Sequence, residues 1–112
     1  MKPRAYTAEE CRERFQSHML MLCRYWANVE RRDGNETEVD RMEGLCHSIQ
    51  AYLDGSTLNS PGMDLVLRPH KDDKAYHISE GENWHEDGLV INEDPLHETF
   101  FRVKDKLYPK KS

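Results

Sequence analysis

Apolar residues first recur at three- and four-residue steps. Ala8, Cys11, Phe15, Met19, Leu22, Trp26 and Val29 draw one stripe along a helix, with Arg12, Arg14 and Arg24 mostly off it. Thr7 followed by Glu10 is a capping-box spacing that places the helix start just before Ala8. Asp33, Gly34 and Asn35 break the pattern, and Asn35 with Glu38 repeats the capping spacing to open a second helix. Val39, Met42, Leu45, Cys46, Ile49, Tyr52 and Leu53 share a face of it, and Gly55 stands where a left-handed C-terminal residue is wanted. Two amphipathic helices joined by so short a turn are expected to lie antiparallel.

After "GSTLNSPG" the period drops to two. Met63, Leu65 and Leu67 alternate with Asp64, Val66 and Arg68, the pattern of a strand with one buried face. Pro69 to Lys74 reads as a turn, "AYHIS" and "LVIN" as two further short strands, and "GENWHEDG" as the loop between them. Asp94 and Pro95 form a helix start, with Leu96, Phe100, Val103 and Leu107 following at helical spacing. The order ααβββα predicts an α+β fold: an N-terminal antiparallel helical hairpin over 8–54 packed on a small antiparallel sheet within 62–92, and a C-terminal helix over 95–107.

A length of 112 residues suits a single domain, 1–112. With 33% of residues charged and a mean hydropathy of -0.93, the chain lies near the polar end of the globular range, but the stripes argue against disorder. No apolar run approaches the roughly 20 residues a membrane span needs, and "MKPRAYTAEECRERF" lacks the apolar centre of a signal peptide, so a cytoplasmic location is expected. Cys11, Cys23 and Cys46 match no zinc or redox spacing and suit a reducing compartment. The net charge of -5 is uneven: +3 over 1–32, -5 over 33–68, -7 over 69–99 and +4 over 100–112. An acidic middle disfavours direct nucleic-acid binding.

Candidate chemistry concentrates in residues 70–98. His70, His77, His85 and His97, with carboxylates between them, supply donors for a zinc-type site, although their spacings match no metal template and "HETFF" has Phe101 where a second helical histidine would stand. Surface histidines in loops and at helix starts are the competing account. Glu36, Asp40 and Glu43 share a helical face and could hold Mg²⁺, as in a small nucleotide hydrolase, or form the solvated side of an amphipathic helix. Cys46 and His47 are neighbours on a helix, about 100° apart, and so make no dyad; Cys46 is expected in the core. No GxSxG or phosphate-binding glycine loop occurs, and no catalytic residue is assigned.

Trp84, inside "GENWHEDG", either folds back onto the sheet or stands out as a recognition anchor. In the second case Glu80, Glu82, Glu86 and Asp87 form an acidic rim around it, the anatomy of a docking patch for a basic protein partner. The long first helix exceeds what a small core covers, and a second copy packed on Met19, Leu22 and Trp26 would give a homodimer.

The segments "RMEGLCHSIQAYLDG", "DLVLRPHKDDKAYHISEGENW" and "INEDPLHETF" resemble a set of small proteins encoded by tailed phages and bacterial prophages. The resemblance spans residues 24 to 101 and rests on the helix ending in DG, the "PHKDDKAYH" turn, the "GEN" plus aromatic loop and the closing "LHE". It implies a bacterial or phage-infected cytoplasm, and a small acidic protein that binds a host protein, an inhibitor of a host system being one form of this. The expectation is a non-enzymatic interaction protein acting through the Trp84 surface, without a cofactor. The metal-binding and Mg²⁺-hydrolase readings are its alternatives.

Overall fold

The computed structural model describes residues 3–29, 36–57 and 60–109. Among them run α1 (Ala8–Asn28), α2 (Glu38–Leu53), α3 (Asp73–Ser79) and α4 (Leu96–Leu107). The described residues form no strand, and the expected α+β fold is corrected to an all-helical one. The chain divides into two units, Met1–Ile49 and Gln50–Ser112, with the division inside α2.

In the first unit, Thr7 caps α1 as its spacing requires. Its hydroxyl accepts from the Glu10 amide at 3.1 Å, and the Glu10 carboxylate accepts from the Thr7 amide at 2.9 Å. Arg4 grips the same carboxylate with two hydrogen bonds of 2.8 and 3.0 Å. Arg4 foremost, and then the Thr7 amide, pull the Glu10 carboxyl down to about 2. The expected Asn35 cap of α2 lies outside the described residues; a reciprocal pair is seen two residues later. The Thr37 amide donates to Asp40 at 2.8 Å, and the Asp40 amide to the Thr37 hydroxyl at 3.1 Å.

Trp26 organises the interior of this unit. Its indole N–H donates to Ser48 at 3.0 Å, and its ring lies so close over Gly44 that an added Cβ would stand 2.5 Å from a ring carbon. Arg41 donates to the Trp26 carbonyl and, at 3.1 Å, to Glu36; the Arg41 and Glu36 side chains are 10% and 11% exposed. The covered side of α2 in this unit takes in Arg41, Gly44 and Ser48, which an apolar pattern does not mark, beside the expected Leu45 and Ile49, which are half-buried. Val39 and Met42 are 61% and 64% exposed, and Cys46, expected in the core, is exposed as well. An indole needs a smooth berth of small side chains, and residues three and four apart on a helix supply one. Tyr25, about 100° around α1 from Trp26, meets it edge-on and stays exposed.

In the second unit, α2 ends at Gly55, whose φ of +80° lets the Ser56 amide reach back to the Ala51 carbonyl and the Gly55 amide to Tyr52. Tyr52, near the end of α2, is buried in it. Two expected strands do meet, through Leu67–Leu89, Gly88–Leu67 and Ile91–Leu65 backbone hydrogen bonds of 2.9 Å, but they form only the single antiparallel bridge Val66–Val90. The ladder stops because the Asn92 side chain takes its next place, accepting from the Leu65 amide at 2.8 Å and donating to the Met63 carbonyl at 2.6 Å. The third expected strand, "AYHIS", is α3. Gly81, with φ +70°, closes that helix through Glu82-to-His77 and Gly81-to-Ile78 backbone bonds, a helix-end motif that outweighs the short alternation.

α4 is capped from a distance. The expected local cap at Asp94 is replaced by Asp54, whose carboxylate accepts from the His97 amide at 2.9 Å and from the His97 ring at 2.8 Å. No helix among the described residues is long and apolar enough to cross a membrane.

Candidate functional site

The loop between α3 and the Val90 bridge is exposed from Glu80 through Leu89. Within it Trp84 is 39% exposed, and its indole N–H donates to Glu86 at 2.8 Å. Lys74, from the first turn of α3, sets its ammonium 5.3 Å from the Trp84 ring centroid and 3.7 Å from the same Glu86 oxygen. An aromatic face beside a carboxylate thus holds a cation from within the chain. The Trp84 hydrogen bond, and then the Lys74 charge, hold the Glu86 carboxyl below its ordinary value.

Of the four carboxylates read as a rim, the structure brings Glu86 to the indole. Glu82 turns back to the His77 ring at 3.2 Å, and Glu80 and Asp87 are exposed. Tyr76, Ile78, Leu89 and Ile91, on the flanking segments, are each more than 40% exposed. Sequence reasoning passed over Lys74, which is placed by the helical turn that replaced a strand.

The histidines take separate partners. The His70 ring nitrogen is 3.6 Å from Asp72, His77 meets Glu82, His97 meets Asp54, and His85 is exposed. The described residues contain no group of three or more His, Cys, Asp or Glu placed to hold a metal. Glu36 is engaged by Arg41 and Asp40 by the α2 cap, so the carboxylate face that would carry Mg²⁺ is already partly used in holding the first unit together.

The Asp54–His97 pair is enclosed, with the Asp54 side chain 1% exposed. Burial pushes the Asp54 carboxyl up, but the His97 ring and amide, with the Asn92 side chain, together bring it below its ordinary value. In the neutral ring this contact puts the proton on Nδ1. The pair joins the end of α2 to the start of α4, a positioning role that the 43-residue separation hid from local pattern reading.

No protein-family model, curated protein or solved structure matches this chain.

Proposed function

We propose that this chain is a non-enzymatic interaction protein that binds a basic segment of a protein partner at the surface centred on Trp84. The observation that carries the reading is the Lys74–Trp84–Glu86 contact, in which an exposed indole and a carboxylate already receive an ammonium group. A partner lysine or arginine takes the place of Lys74, and adjoining apolar residues of the partner cover the exposed part of the Trp84 ring. Glu80 and Asp87 add long-range attraction, so binding weakens as salt rises. The resemblance to tailed-phage proteins extends the proposal to an accessory factor that acts on a host protein.

The test is calorimetric titration with a 14-residue amphipathic Lys/Leu peptide. Trp84→Ala is expected to weaken binding by about 30-fold, the loss of roughly 2 kcal/mol typical of an aromatic anchor. Lys74→Met, which removes the internal competitor, is expected to tighten it by about twofold to fivefold. Equal affinity for wild type and Trp84→Ala overturns the reading.

A further inference from the structure

The cation held at Trp84 is a lysine, and its distances show a lysine to be a poor fit. An indole N–H lies in the plane of its ring, so Glu86, which accepts from it at 2.8 Å, stands at the ring's edge. A cation is attracted most strongly over the ring's face. The site thus favours positive charge in two places, and one compact ion meets only one of them closely. The Lys74 ammonium falls between the two. It is 5.3 Å from the ring centroid, near the roughly 6 Å limit of such a contact, and 3.7 Å from Glu86 Oε1, beyond the about 2.7–2.9 Å of a charge-assisted hydrogen bond.

A guanidinium has the shape that an ammonium lacks. It is planar and stacks on an aromatic face, while the N–H groups at its rim form a fork that matches both oxygens of a carboxylate. The indole and Lys74 both approach Glu86 through Oε1, so a fork can engage Oε2 as well. Approach from outside is open, since Trp84 is 39% exposed and the Lys74 and Glu86 side chains are more than half exposed. We infer that the Trp84 site selects arginine over lysine, taking a partner arginine whose guanidinium stacks on the indole and pairs with Glu86. The inference rests on the proposed function and narrows its ligand. Lys74 is then a weak internal occupant that the partner's arginine displaces.

The test is calorimetric titration of the full chain with two 14-residue peptides that share one leucine pattern and differ only in carrying lysine or arginine. The arginine peptide is expected to bind about threefold to tenfold tighter, a moderate preference because the site is exposed. Two variants separate this from a general stickiness of arginine. Trp84→Ala removes the face, and Glu86→Gln keeps an acceptor for the indole N–H while removing the charge; in each the preference is expected to fall to about twofold or less. In Lys74→Arg the internal occupant fits better, so the lysine peptide should bind about threefold more weakly than to wild type, opposite in sign to Lys74→Met. Circular dichroism of each variant controls for folding.

Equal affinity of wild type for the two peptides, or tighter binding of the lysine peptide, overturns the inference. An arginine preference that survives in both Trp84→Ala and Glu86→Gln overturns it too, since it then arises elsewhere on the chain. In the case of equal affinities that are both lost in Trp84→Ala, the proposed function stands and only the selection of arginine fails. If neither peptide binds wild type, the parent reading has failed and this one with it.

Discussion

The two tryptophans make the same hydrogen bond in opposite settings. Trp26 donates to Ser48, 22 residues away on another helix, and its ring is fitted to Gly44 with no room for a methyl group. Trp84 donates to Glu86, two residues along its own loop, and its ring carries a lysine. A long-range partner with a small-residue berth makes an indole part of the interior. A local partner fixes its orientation while leaving its face for a ligand. Charge follows the same division. Arg41 and Glu36 are enclosed and support the helix pair that carries Trp26, whereas Lys74 and Glu86 are solvent-exposed and contribute little to stability.

Substitutions at the two centres should therefore separate cleanly. The largest effect is expected for Arg41→Met, which removes the enclosed Arg41 contacts with Glu36 and with the Trp26 carbonyl; about 3–5 kcal/mol is lost, read from the urea midpoint of the helical signal. Gly44→Ala comes next. Alanine gains about 1 kcal/mol of helix propensity but must displace the indole, for a net loss of about 1–3 kcal/mol and a shift in Trp26 emission.

Asp54→Asn should cost about 2 kcal/mol in the second unit, through the cap of α4 and the contact with His97. Its pH signature sharpens the contrast. The folded carboxyl sits below its ordinary value, so its stabilisation is complete above about pH 5 and fades as the pH falls through the ordinary value toward the folded one. Denaturation curves at several acidic pH values should show that component of the slope in wild type and not in Asp54→Asn. The smallest effect on stability is that of Trp84→Ala, within about 0.5 kcal/mol, as for other exposed substitutions.

Much of this was legible in the sequence, and what was hidden has physical causes. The α1 stripe and its Thr7 cap follow from spacing alone, because a helix end is settled by residues three apart. Part of the covered face of α2 was legible in Leu45, Ile49 and Tyr52, and part was hidden because Gly44 and Ser48 do not register as core in a pattern of apolar residues. The expected sheet failed at two places. Gly81 stops α3 as a helix, and Asn92 substitutes a side-chain amide for the next rung of backbone pairing. Asp54 and His97, 43 residues apart, carry no local signal at all. The exposed Trp84 was one of two readings of its loop, and the cation beside it became visible only once α3 had placed Lys74.

The most direct test is a fluorescence titration of the Lys/Leu peptide into wild type and into Trp84→Ala, where Trp26 is the remaining indole. A saturable emission change that shrinks with salt is expected in wild type, and no change in Trp84→Ala over the same range. An undiminished change in Trp84→Ala would mean that Trp26 senses the ligand, and the division between an interior and a presented tryptophan would be wrong.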